Sequence, residues 1–128
     1  MVDIKVDASE WTELTVRMRA GIKRVDQESR QVVRRNTFRV EAGAKQRCPV
    51  DTGFLRESIV SAFALDPGGA AFVGVVSAEA NYGIYVERGT SRARAQPFMR
   101  PAAMAVRPVF AREAAQLGAS LLSHGGAR

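Results

Sequence analysis

From Val25 to Arg47 the chain contains no proline, and its apolar residues fall on one stripe. Val32, Val33, Val40 and Ala44 carry that stripe, Phe38 lies near it, and the other positions are mostly charged or polar. This spacing predicts a long amphipathic helix with an arginine-rich outer face. Pro49, just past its end, stops it. Such a helix is marginal alone, because most helical stability comes from packing the apolar face against something else. The rest of the chain must therefore supply a covering layer.

The rest reads as short strands and one further long helix. Val2, Ile4 and Val6 alternate with Asp3 and Lys5, a strand pattern. Ser9 offers an N-cap oxygen, and Glu10 and Glu13 suit a helix N-terminus. Trp11, Leu14, Met18 and Ile22 follow at steps of three or four, predicting a first helix with a break at Gly21. Leu55, Ile59 and Val60 open an extended segment running to Leu65. Asp66-Pro67-Gly68-Gly69 is a turn, and Ala70–Ala78 is the returning strand of a hairpin. Asn81-Tyr82-Gly83 is another turn, followed by Ile84, Tyr85 and Val86. Residues 88–97 form a polar, arginine-rich loop. Phe98–Leu122 is an amphipathic helix with Pro101 in its first turn, where proline is tolerated, and Pro108 as an expected kink. The expected class is α+β: a small antiparallel sheet packed against the long amphipathic helix and a C-terminal helix. One domain is expected over 1–128, with an N-terminal strand and first helix (1–24), a core (25–122) and a flexible tail (123–128).

Composition narrows function mainly by exclusion. The chain has 128 residues, of which 46% are apolar and 25% charged, as in a folded globular domain. No apolar stretch approaches the ~20 residues of a membrane helix, and the first ten residues lack the apolar core of a signal peptide. A lone cysteine, Cys48, and a lone histidine, His124, argue against an internal disulfide, most metal centres and histidine-based catalysis. Cys48 reads as a small buried apolar group. Glu79 and Glu87 read as surface carboxylates rather than an acid–base pair. No phosphate-cradling glycine motif occurs. The expectation is a protein without cofactor and without catalytic activity.

The charge is +6, carried by sixteen arginines and only three lysines. Residues 1–47 are net +4, residues 48–97 net −1, and residues 98–128 net +3. Arg17, Arg19, Lys23, Arg24, Arg30, Arg34, Arg35 and Arg39 could form a phosphate-binding face. Interleaved Asp26 and Glu28 favour local pairs, and a solvated face or a protein interface are the competing readings.

Two blocks carry a resemblance. Cys-Pro-Val-Asp-Thr-Gly-Phe-Leu-Arg-Glu-Ser-Ile spans 48–59. Tyr-Gly-Ile-Tyr-Val-Glu-Arg-Gly-Thr spans 82–90, followed by Gln-Pro-Phe-Met-Arg-Pro-Ala at 96–102. Together, in this order, they resemble the tail-component, or neck, family of long-tailed bacteriophages and prophages. Its members are head–tail joining or tail-completion proteins typified by the HK-type lambdoid phages. The resemblance runs from the long helix to the last one; the first 24 residues and those after Leu122 carry no such signal.

The residues of these blocks have physical readings of their own. Pro49, Asp51, Thr52 and Gly53 shape a tight turn before Leu55. Arg56 is placed to pair with Glu87. Tyr82 and Tyr85 pack by their rings and leave hydroxyls at a polar edge. Gly89-Thr90 lets the chain leave the sheet, and Gln96-Pro97-Phe98 returns it, with Phe98 as anchor and Pro101 starting the helix.

What the resemblance implies is a structural virion protein: a ring of copies, a hexamer or a multiple of it, around the DNA channel, joining head to tail. Its partners would be other copies of itself and neighbouring neck, head-completion and tail-terminator proteins, with no membrane. DNA would pass without sequence-specific binding. Candidate subunit contacts are Arg88, Arg92, Arg94, Gln96, Phe98 and Arg100, in a loop expected to order against neighbours. Arg30, Arg34, Arg35 and Arg39 are candidates to face the DNA channel or a partner. The location implied is the virion neck or tail, after assembly in the bacterial cytoplasm. The alternative is a small basic nucleic-acid-binding or regulatory protein, against which stand the missing helix-turn-helix, stacking-platform and RNA-recognition signatures.

Overall fold

A computed structural model describes residues 2–7, 14–20, 27–49, 53–65, 72–80 and 82–126. Its elements are β1 (Val2–Asp7), β2 (Leu14–Ala20), α1 (Gln27–Arg47), α2 (Phe54–Glu57), β3 (Ile59–Leu65), β4 (Phe72–Ala78), α3 (Gly83–Arg88) and α4 (Met99–Gly126). The strands form one antiparallel sheet in the order β1-β2-β4-β3. The α+β class, the long helix and the C-terminal helix are as the sequence predicts.

The expected first helix is a strand. Leu14, Val16 and Met18 are all buried, whereas Arg17 and Arg19 between and beyond them are exposed. Leu14 and Met18 fit a helical step of four and a strand step of two twice over. Val16, which the helical stripe leaves out, decides for the strand, where successive side chains take opposite faces. Ser9, Glu10, Trp11, Glu13, Gly21, Ile22 and Val25 lie outside the described residues.

The inner face of the sheet is assembled row by row. Register sets Leu14, Ala78 and Ile59 side by side, then Val16, Val76 and Ser61, then Met18, Gly74 and Phe63. Helix α1 lays Val32, Val33, Val40 and Ala44 on this face, and α4 adds Met99, Ala102, Ala103, Val106 and Phe110. Val16, Met18, Val33, Val40, Val76, Phe98 and Phe110 are wholly buried. Burying each such side chain stabilises the fold by about 2 kcal/mol. Where α1 crosses β4, Gly74 faces Thr37. A Cβ at Gly74 would lie 3.0 Å from the Thr37 Cβ and closer still to its hydroxyl. That hydroxyl is satisfied by the Val33 carbonyl at 2.7 Å. The helix therefore sits on the sheet at a distance only glycine permits.

The ends of α1 obey its dipole, with Glu28 in the first turn and Lys45 and Arg47 in the last. The Cys48 N–H closes the helix on the Ala44 carbonyl at 2.9 Å, and Pro49 follows. Helix α4 continues through the exposed Pro108 as one element. No described element packs on the opposite face of the sheet, where β3 exposes Val60, Ala62 and Ala64. No helix among the described residues is long and apolar enough to cross a membrane.

Candidate assembly surface

Within the block Tyr82–Thr90, Gly83–Arg88 form the short helix α3. Gly83, Ile84 and Glu87 are buried, at helical spacing, and the Tyr85 and Val86 N–H groups bond the Tyr82 carbonyl at 3.1 and 3.2 Å. Gly89 ends α3 with φ 79°, and its N–H bonds the Tyr85 carbonyl at 2.7 Å. A Cβ there would come within 2.6 Å of the Ala95 nitrogen. Glycine is thus required twice, by conformation and by space.

The loop that follows is closed on itself. Thr90 Oγ1 accepts from the Arg92 and Ala93 N–H groups at 3.2 and 3.0 Å, and the Thr90 N–H donates to the Ala93 carbonyl at 2.9 Å. The Gln96 N–H returns to the Val86 carbonyl at 2.8 Å. Glu87 completes the closure. Its Oε1 accepts from the Phe98 and Met99 N–H groups at 2.9 and 2.8 Å, and its Oε2 from Arg100 N–H at 3.0 Å. The first N–H groups of a helix have no partner within it, and a carboxylate there also meets the positive end of the dipole. Glu87 therefore caps α4 from eleven residues upstream. The loop is held by its own chain, where the sequence suggested ordering by neighbours.

These ties sort the predicted contact residues. Arg88, Arg92, Arg94, Gln96 and Arg100 are exposed. Phe98 is wholly buried in the core, so it is an anchor and not a contact residue. Pro97 is exposed beside it, and Pro101 occupies the first turn of α4, where no N–H is needed.

Arg56 and Glu87 do not pair as predicted. Arg56 Nε donates to the Lys45 carbonyl at 3.1 Å, tying α2 to the end of α1, while both Glu87 oxygens serve α4. Leu55 is buried, but in a single helical turn launched from Gly53 at φ 72°, ahead of the strand. Asp51 and Thr52, and the predicted turns at Asp66–Gly69 and Asn81, lie outside the described residues. Tyr82 stacks on Phe54, ring centroids 6.2 Å apart, and Tyr85 is exposed. Pro49 is half-buried, and Cys48 is buried as read; burial pushes its thiol up, against the pull of the Arg56 guanidinium.

The helix arginines are engaged within the fold. Arg30 lies 5.7 Å over the Phe72 ring, and Arg34 lies 5.5 and 5.6 Å over Phe63 and Phe72. Arg35 and Arg39 converge on Glu113 of α4, at 3.0 and 2.8 Å, and the buried Asn36 amide donates to the same carboxylate at 2.9 Å. Partial burial of Glu113 opposes its ionisation. Hydrogen bonds from Arg39, Asn36 and Arg35 outweigh that and hold it down to about 2. Sequence reasoning missed Glu113, though a signal existed: it is the one carboxylate among residues 98–128.

Among the described residues, no three His, Cys, Asp or Glu side chains gather as metal ligands. A shallow depression of about 250 Å³ is lined by Phe54, Glu57, Ser58, Glu79 and Ala80. The chemistry on display is that of contact: a fixed, arginine-bearing loop, stacked exposed aromatics and the exposed Val60, Ala62 and Ala64 of β3.

These features define a small two-layer α+β domain with helices packed on one face of an antiparallel sheet. Residues 13–89, more than half of the chain, match the bacteriophage HK97-gp10 tail-component family, and the chain belongs to that family. The match opens at β2, earlier than the sequence blocks, and ends at Gly89, before Gln96–Ala102. Membership makes the chain a structural component of the phage particle, in contact with other phage structural proteins. No curated protein and no solved structure is significantly similar to it.

Proposed function

We propose that the chain is a non-catalytic subunit of the neck or tail-completion region, acting as a ring of copies that helps join head to tail around the DNA channel. The observation that carries this reading is the loop 89–97. Glu87, Gly89 and Thr90 hold it rigid, and it presents Arg92 and Arg94 to solvent. A preformed surface loses less entropy on docking than a loop that must first fold. Arginine suits contact with carboxylates on a neighbouring subunit.

A ring requires head-to-tail contacts, in which two different patches of the same chain meet. A hexamer or a multiple of it, flanked by head-completion and tail-terminator proteins, is the arrangement we favour. Assembly would take place in the bacterial cytoplasm. DNA contact would be weak, because Arg30, Arg34, Arg35 and Arg39 of α1 are already bonded to Glu113 or seated on aromatic rings. The test is electron microscopy of particles made without this chain. The expected result is complete heads and complete tails that fail to join; normally joined particles would refute the proposal.

A further inference from the structure

The sheet has two outer strands, β1 and β3, and the edge of β3 is unusually bare. In antiparallel pairs, residues alternate between turning their backbone groups toward the partner and away from it. The Glu79 N–H bonds the Ser58 carbonyl at 3.0 Å, and the register pairs Val60 with Ser77 and Ala62 with Val75. The alternation therefore sets Val60, Ala62 and Ala64 toward β4. Ser61, Phe63 and Leu65 turn their N–H and C=O groups outward, where no described strand meets them.

Natural sheet edges are blunted by lysine, proline, bulges or short length. Strand β3, Ile-Val-Ser-Ala-Phe-Ala-Leu, has seven residues with no charge, proline or glycine. Val60 and Leu65 on it are 37% and 50% exposed.

We propose that β3 of one copy pairs with β1 of the next, so that one antiparallel sheet runs on through successive copies. This rests on the ring reading above and supplies its contact. The four strands alternate in direction, and four is even, so a copy related by rotation about the ring axis offers its β1 antiparallel to β3. The lengths match, six residues against seven. Each pairing leaves the far edges free, so the contact propagates and closes.

The test uses the full chain and two substitutions at one position. Ser61→Ala and Ser61→Pro both remove the hydroxyl that donates to Glu41 at 2.6 Å. Only Ser61→Pro removes the outward N–H, and it leaves the β3–β4 ladder intact, since proline is tolerated where the N–H faces away from the sheet. Mass by light scattering and amide exchange are read for both. Ser61→Ala is expected to assemble like the unchanged chain, with the Ser61 replacement, Phe63 and β1 amides slowed by at least about tenfold on assembly. Ser61→Pro is expected to be a folded monomer. Should it fold poorly, Ala62→Lys with Ala64→Lys, both at exposed positions, is expected to give the same monomer. A ring that survives both variants, or whose β3 amides exchange freely, overturns the pairing and leaves the ring reading standing. A dimer with slowed β3 and fast β1 overturns β1 as the partner. A chain that stays monomeric throughout its soluble range overturns both readings.

Discussion

The arginines of α1 and those of the loop 89–97 are the same residue type doing different things. On α1, Arg35 and Arg39 close on Glu113, and Arg30 and Arg34 cover the rings of Phe63 and Phe72. In the loop, Arg92 and Arg94 stand on a backbone that Thr90, Gly89 and Glu87 hold in place, with their side chains exposed. One set serves the fold and the other is displayed by it. Net charge alone cannot tell these apart. What separates them is whether a carboxylate or an aromatic face lies within reach on a neighbouring element.

The comparison can be broken most severely at the support of the loop. Glu87→Ala removes three bonds to the N-terminus of α4 from a buried site. It is expected to cost about 3 kcal/mol in denaturant unfolding. Gly89→Ala, strained by its φ and pressed on Ala95, is expected to cost about 2 kcal/mol by the same measurement.

On the helix side, Glu113→Ala removes one of the two acceptors of the buried Asn36 amide and the carboxylate partner of two arginines. The arginines are 49% and 41% exposed, so screening limits the effect to about 2 kcal/mol. The same carboxyl gives a pH signature. Its folded value is depressed, so its contribution is fully present above the unfolded value of 4.5 and is lost as pH falls toward about 2. Unfolding free energy measured across that window should fall more steeply in the unchanged chain than in Glu113→Gln.

Arg34→Ser uncovers two aromatic rings and is expected to cost about 1 kcal/mol. Arg92→Ser with Arg94→Ser should change stability by less than about 0.5 kcal/mol, because these exposed residues have no place in the core.

The sequence made the layers legible and left much of the detail hidden. The stripe of Val32, Val33, Val40 and Ala44 could be covered only by another element, and β3, β4 and α4 were readable from alternation and spacing. Strand β2 was misread because Leu14 and Met18 satisfy both periodicities, and only the burial of Val16 separates them. The role of Glu87 was hidden because its partners are backbone N–H groups, which no residue type advertises. Arg56 was assigned a carboxylate for the same reason, when its partner is the Lys45 carbonyl. Block 48–59 and most of 82–90 lie within the family match, Gln96–Ala102 lies beyond it, and several residues of these blocks build the surface rather than form it. Phe98, wholly buried, is the clearest case.

The division between the two sets of arginines is tested most directly by complementation. Particles lacking the chain are supplied with Arg92→Ser/Arg94→Ser or with Arg34→Ser, and joined particles are counted by electron microscopy beside the thermal midpoint of each purified variant. The account predicts that the loop variant keeps its midpoint and fails to join heads to tails, while Arg34→Ser loses some stability and still joins them. A loop variant that joins heads to tails as well as the unchanged chain would contradict it.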